Sequence, residues 1–216
     1  MSGANGDGDA LLALGTATLG ESGARRMHPT VRAVWPGAKL CGSAVPVVCS
    51  PGDNLGIHVA VAAATPGSVL CVDVGGEREL GYWGEVLTTA AEARGIAGLV
   101  IDGCVRDVDA IEAHGFPAFS TGIALTGATK VRPGSVGAPA TVAGVEVQIG
   151  DVIVGDRDGV VVVPAAALAG VADSARERAR AEVVLFRQLR AGATTIELLG
   201  LQVDAVSVDL VRQRDD

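Results

Sequence analysis

The chain has 216 residues, with 25 Asp and Glu against 17 Lys and Arg, a formal net charge of −8. That length encloses a hydrophobic core without disulfides or a structural metal, and a composition of 49% apolar and 19% charged residues excludes wholesale disorder. The acidic balance argues against a nucleic-acid binder held by phosphate contacts.

Aromatics make up only 3% while glycine reaches 30 residues, so a core of small aliphatic side chains joined by tight turns is expected. No apolar run approaches the ~18 residues of a membrane span. The first thirty residues lack a charged start followed by an apolar signal core, which makes a cytoplasmic location the expectation. Cys41, Cys49, Cys71 and Cys104 show no CxxC pair and no zinc spacing, and read as buried free thiols.

Residues 1–8 are small and polar, and read as a frayed terminus. A helix is expected from about Asp9, its cap, to Leu19. Lys39 to Cys49 reads as a strand, with Pro46 pushing it towards an edge or a bulge. Pro51-Gly52-Asp53 turns the chain into an Ala-rich helix that ends near Pro66. Val69 to Val74 is a buried strand, Tyr82 to Arg94 a helix stopped by Gly95, and Leu99 to Ile101 a second strand closed by Asp102-Gly103. Asp107 to His114 is a short helix, and Phe119 starts another extended segment. This alternation predicts parallel strands joined by right-handed crossovers.

After Lys130 the pattern changes. Val145, Val147 and Ile149 alternate with Gly144, Glu146 and Gln148 as a period-two strand. Val152 to Val154 and Val160 to Val163 flank Gly155-Asp156-Arg157-Asp158-Gly159, which lacks the later bidentate Glu of a calcium loop and reads as a hairpin turn. Pro164 opens a helix to about Arg190, ~39 Å long if continuous. A last short helix starts at Thr194 or Thr195. The whole is one domain, an α/β core at about 30–164 with a β-rich second half and a helical arm from about 165.

GxSxG, Walker, GxGxxG and HExxH motifs are all missing. The histidines show no ligand spacing, and His58, in an Ala/Val helix, reads as a satisfied structural imidazole. A Schiff-base enzyme needs a desolvated lysine, but Lys39 precedes a strand and Lys130 lies near a Pro-Gly loop, which suits neither to that role.

One region remains. Ligands of parallel α/β sheets bind beyond the carboxyl ends of the strands, which here carry Asp73-Val74-Gly75-Gly76 and Asp102-Gly103-Cys104-Val105-Arg106-Asp107. A helix start near Gly84-Glu85-Val86-Leu87 would point free N–H groups at the same crevice. A helix start and Arg106 suit a substrate carboxylate; Glu85 and Asp107 with waters suit Mg²⁺ or Mn²⁺. The plain alternative is that Asp107 caps the helix it begins, that Arg106 is a surface ion-pair partner, and that Asp73 and Asp102 form turns. Further on, Ala175, Ala179, Phe186 and Leu189 form a helical stripe that includes Glu182, unless Val183 completes it and Glu182 lies at its margin.

GYWGEVLTTAAEARGIAGLVIDGCVRDVDAIEAHGFPAFS, from Gly81 to Ser120, resembles the RraA-like class II pyruvate aldolases, with softer similarity through Pro66 to Leu70 and Val152 to Pro164. That family includes 4-hydroxy-4-methyl-2-oxoglutarate / 4-carboxy-4-hydroxy-2-oxoadipate aldolase. The resemblance implies a layered β/β/α swivelling-type fold in trimers or dimers of trimers, acting on a small 2-oxo acid. It implies direct metal binding by Asp107, enolate stabilisation by Arg106, and a carboxylate acting through water at Glu85. Backbone N–H groups at Val86 and Leu87 would hold the substrate carboxylate, and Glu182 would come from the neighbouring subunit. Where members often carry an acid three positions after the metal-binding Asp, this chain has Ala110, with Asp109 one place early. The family's founding RNase E regulator lacks that metal-binding Asp, so Asp107 favours an enzyme over a non-catalytic regulator or a protein-interaction ring. A lyase or decarboxylase on another 2-oxo acid is the third reading.

Overall fold

The structure is a computed structural model and describes residues 3–207. The elements begin with helices α1 (Gly3–Leu14) and α2 (Thr16–Glu21), then strands β1 (Arg25–Arg26), β2 (Arg32–Ala33) and β3 (Leu40–Val48). The middle of the chain forms α3 (Leu55–Ala63), β4 (Ser68–Asp73), β5 (Gly81–Trp83), α4 (Glu85–Glu92), β6 (Gly98–Val105), α5 (Val108–His114) and β7 (Ala118–Ile123). There follow β8 (Ser135–Val136), β9 (Ala140–Val142), β10 (Val145–Val147), β11 (Val152–Asp156) and β12 (Gly159–Val163). After a 3₁₀ turn at Ala165–Ala167 come α6 (Leu168–Arg190) and α7 (Thr195–Leu199).

β3, β4, β6 and β7 lie side by side and parallel, linked by the helical crossovers that the alternation predicts. Antiparallel strands extend both edges: β11, β12 and β1 beyond β3, and β2 beyond β7. Strand parity sorts the core into layers. Val47, Leu70, Val72, Leu99 and Ile101 pack against Ile57, Ala60, Leu87, Ala91 and Ile111 of the helices. Leu40, Ala44, Val69, Cys71, Val100 and Phe119 face the other way, onto Ala140, Val142, Val145 and Val147 of the β9–β10 hairpin. The fold is therefore a layered β/β/α arrangement. A third cluster seats α1, α2 and the start of α6 on Val154, Val161 and Val163.

Several elements differ from the sequence expectation, each for a local reason. Residues 3–8 are helical rather than frayed, while Met1 and Ser2 lie outside the described residues. Asp9 sits inside α1 instead of capping a helix, and that helix breaks at Gly15 (φ 80°), where the Asp156 carboxylate captures the backbone N–H and the hydroxyl of Thr16 at 2.8 and 2.6 Å. Pro46 lies in an interior strand. Its carbonyl faces Gly137 N, so its missing N–H falls on the same side, in the gap between β11 and β8, and costs no bond to β4. Tyr82 and Trp83 belong to strand β5, not to a helix. Asp102 lies within β6 and binds Arg78 through two contacts of 2.6 and 2.8 Å rather than forming a turn. Ile149 lies beyond β10 and is exposed. Cys49 and Cys71 are buried, and burial pushes the Cys49 thiol up to about 11, but Cys41 and Cys104 are only half-buried. Asp73 does make the expected turn, accepting from Gly75 N, and β11–β12 is the expected hairpin.

The chain separates into two compact units, the first ending at Arg176 and the second beginning at Glu177. In the second, Glu182 lies on a half-covered stripe with Ala179, Leu185 and Leu189, and Arg178 Nε stands 3.2 Å from its Oε1. Val183 and Phe186 are exposed, so neither completes that stripe. α7 begins with a reciprocal capping box between Thr194 and Glu197. Among the described residues no helix is long and apolar enough to cross a membrane.

Candidate functional site

The carboxyl ends of β5 and β6 open onto a cleft of about 230 Å³. Its near wall is Gly84, Val86 and Leu87 at the start of α4, together with Arg106 and Asp107 just after β6. This is where a parallel sheet leaves a crevice, and the volume suits a small organic acid rather than a nucleotide.

Asp107 stands at the N-cap of α5, yet its side chain caps nothing there. The residue adopts a left-handed conformation (φ 55°), uncommon for a non-glycine, and its Oδ2 instead accepts from Glu85 N at 3.1 Å. The plain capping alternative therefore does not describe it. Among the described residues Oδ1 accepts no hydrogen bond, and the side chain is 44% exposed. Arg106 Nε lies 3.8 Å from Asp107 Oδ2, and Arg106 N donates to Trp83 O, which ties the end of β6 to β5.

Three glycines make this packing possible. A Cβ at Gly84 would strike Asp107 Oδ2, one at Gly127 would stand 2.9 Å from Arg106 Nη1, and one at Gly81 would stand 2.6 Å from Ala124 O. The first-turn N–H groups of Val86 and Leu87 have no carbonyl four residues back within α4, so they remain available to an anion. Glu85 does not line the cleft; its Oε1 lies 3.8 Å from His114 Nε2, whose Nδ1 is 2.7 Å from Glu92.

The opposite wall is one the sequence reading passed over: Asn54, His58 and Lys130. Asn54 caps α3 in position and His58 follows one turn later, on the same face. Asn54 Nδ2 donates to Tyr82 O at 2.8 Å, but among the described residues its buried Oδ1 has no partner, and neither has the buried Nε2 of His58. His58 is thus not the satisfied imidazole expected from its Ala/Val helix. Burial first, then the charge of Lys130, hold its pKa below the ordinary histidine value, against a smaller opposing pull from Asp53.

Asp53, 1% exposed, holds this wall together. Its Oδ1 accepts from Leu55 N (2.9 Å), and its Oδ2 from Thr129 Oγ1 (2.7 Å), Val131 N (2.6 Å) and Arg132 N (3.1 Å). Burial would raise the carboxyl pKa; these donors outweigh it and hold the group well below the usual carboxylate range. The loop that carries Lys130 is thereby laced to the start of α3. A signal for this existed in the Asn54-x-x-x-His58 spacing, but nothing in the sequence brings Lys130 beside it.

The site is a small cleft at the carboxyl end of a parallel sheet, with an exposed Arg-Asp pair beside a helix start. The comparisons narrow this further. Residues 9–162 match the RraA-like family (Aldolase/RraA), and the chain belongs to it. A protein of Halalkalibacterium halodurans named "Putative 4-hydroxy-4-methyl-2-oxoglutarate aldolase" is 33% identical over 172 residues, covering 76% of this chain and 82% of its own. An uncharacterized Pseudomonas syringae protein superimposes with a TM-score of 0.80 at 29% identity, over 91% of this chain and 93% of that one. The RNA-processing inhibitor RraA of Thermus thermophilis gives 0.59 at 27% identity, over 66% and 85%.

Proposed function

We propose that this chain catalyses divalent-metal-dependent retro-aldol cleavage of 4-hydroxy-2-oxo acids, of the 4-hydroxy-4-methyl-2-oxoglutarate or 4-carboxy-4-hydroxy-2-oxoadipate type, to pyruvate and a second oxo acid. The observation that carries this reading is the Arg106–Asp107 pair packed against the first turn of α4 in one small cleft. The names of its relatives agree with it.

The donor chemistry fits Mg²⁺ or Mn²⁺. Asp107 offers an exposed carboxylate with a free Oδ1, and among the described residues no group of three or more His, Cys, Asp or Glu converges. Most positions on the ion would therefore fall to substrate oxygens and water, the arrangement Mg²⁺ favours. When bound, such an ion supplies positive charge to the carboxylate and 2-oxo oxygen of the substrate. The Val86 and Leu87 N–H groups hold the substrate carboxylate. As the C4 hydroxyl loses its proton the C3–C4 bond breaks, and its electrons pass to the C2 oxygen beside the Arg106 guanidinium. Protonation at C3 gives pyruvate. Oxaloacetate decarboxylation passes through the same enolate and accompanies the main reaction.

Val86, Ile123, Leu125 and Val131 are exposed apolar residues. These support assembly as a trimer or hexamer in which Glu182 of a neighbouring copy adds a carboxylate acting through water, as Glu85 would from its own chain. A second reading, a non-catalytic regulator of an RNase, draws on the likeness to the Thermus protein.

The test is pyruvate release from several 4-hydroxy-2-oxo acids and oxaloacetate, with and without Mg²⁺ or Mn²⁺. Asp107→Ala should abolish both activities, and Arg106→Ala should lower kcat at least ~10²-fold. Undiminished turnover by EDTA-treated Asp107→Ala protein would sink the mechanism. Silence on every acid, with capture of an RNase, would favour the regulator.

A further inference from the structure

Buried polar atoms in folded proteins are nearly always paired. Among the described residues two buried atoms without a partner, Asn54 Oδ1 and His58 Nε2, belong to residues one helical turn apart, at the N-cap of α3 and within it, and both residues line one cleft. Asn54 is 5% exposed, and its amide nitrogen is already committed to Tyr82 O, which leaves its oxygen as an obligate acceptor. Burial and the neighbouring Lys130 charge favour a neutral His58 imidazole, against the smaller pull of Asp53. With its proton on Nδ1, its Nε2 is an acceptor too. The cleft wall thus holds two buried acceptors without a donor.

On the aldolase reading, which this step rests on, the ionised substrate has one donor. Its carboxylates and its 2-oxo oxygen only accept; the C4 hydroxyl donates. We infer that Asn54 Oδ1 and His58 Nε2 receive the C4 hydroxyl, and that His58 is the general base which removes its proton. The proton passes from the C4 oxygen to Nε2 while the C4–O bond becomes a carbonyl. The C3–C4 pair moves into the enolate over C2 and C3, beside Arg106. The second oxo acid leaves, C3 is protonated from solvent to give pyruvate, and His58 returns its proton to solvent. Glu85, outside the cleft lining and 3.8 Å from His114, is not needed for this transfer.

The reaction offers its own control. Oxaloacetate decarboxylation shares the enolate, Arg106 and Asp107, but has no C4 hydroxyl to deprotonate. The experiment compares wild type, His58→Gln and His58→Ala on a 4-hydroxy-2-oxo acid and on oxaloacetate, with imidazole added to His58→Ala. Retro-aldol kcat should fall ~10²-fold or more in both variants. Decarboxylation should fall at least ~tenfold less than retro-aldol cleavage, and imidazole should restore part of the retro-aldol rate only. Equal loss of both activities, or a His58→Gln retro-aldol rate within about threefold of wild type, overturns the assignment and leaves the aldolase reading intact. A wild type silent on both acids overturns both.

Discussion

The two walls of the cleft are built by different means. The near wall is held by close packing and strain: Asp107 sits in a left-handed conformation, and its carboxylate and the Arg106 guanidinium fill space that exists only because residues 84 and 127 are glycine. The far wall is held by hydrogen bonds to one buried carboxylate, Asp53, which laces a loop to a helix start. Steric definition fails abruptly when one atom is added. A hydrogen-bonded lacing loosens by degrees as its donors are removed. Each wall should therefore answer mutation in its own manner.

Gly84→Ala should have the largest effect. Its new Cβ would collide with Asp107 Oδ2 and come within 3.1 Å of Arg106 Cγ, so both side chains must move. Gly84 itself has extended backbone, which alanine adopts without strain, so the fold should survive. The expected result is loss of pyruvate release approaching that of Asp107→Ala, with an unchanged far-ultraviolet circular dichroism spectrum. Retention of more than about a tenth of the wild-type rate would mean that the near wall yields, contrary to its packing. Gly127→Ala meets the mobile end of Arg106, at 2.9 Å from Nη1, and should cost less.

The contrast also explains what the sequence discloses. Strand ends, the left-handed glycine at 95 and the Arg-Asp pair are local signals, and the parallel core and the near wall follow from them. The far wall depends on contacts across more than seventy positions, such as Asp53 to Val131, which no periodicity encodes. His58 illustrates the difficulty. Its surroundings in the chain are apolar, so it reads as core, whereas the helix turns its ring towards a cleft completed by a distant loop. Tyr82 and Trp83 mislead similarly: fully buried large residues before a helix look like its first turn, yet they pair with β6 as a short strand. Pro46 reads as an edge signal because the sequence does not show that two different strands meet β3 on either side of it.

Asp53→Asn should have the next largest effect. An amide nitrogen in place of Oδ2 would face the donors Val131 N and Arg132 N, so the lacing should open. Substrate KM should rise roughly tenfold and retro-aldol kcat should fall with it, because Lys130 and α3, which carries His58, lose their relative placement. The linkage to pH has a definite sign. The Asp53 pKa is depressed in the folded state, so its contribution to stability is present above the unfolded carboxylate value near ~3.9 and is lost as pH falls through the folded value. Wild-type stability should decline as acid is added below about pH 4, and the variant should decline less steeply in that window. Parallel acid-denaturation slopes would show that the carboxylate is not the fastening.

The smallest effect should come from Thr129→Val, and it separates lacing from packing most cleanly. Valine preserves the shape of threonine, and the backbone bond from Thr129 N to Gly52 O remains, so only the hydroxyl contacts to Asp53 Oδ2 (2.7 Å) and Gly52 O (3.1 Å) are removed. Two of three donors to Oδ2 persist. If the far wall loosens by degrees, KM should rise only about threefold, with kcat nearly constant. Residues that share a hydrogen-bonded unit couple, so combining Thr129→Val with Asp53→Asn should add little to Asp53→Asn alone. Fully additive losses would mean that Thr129 acts on the cleft by a route of its own. The lacing would then be incidental to where Lys130 stands.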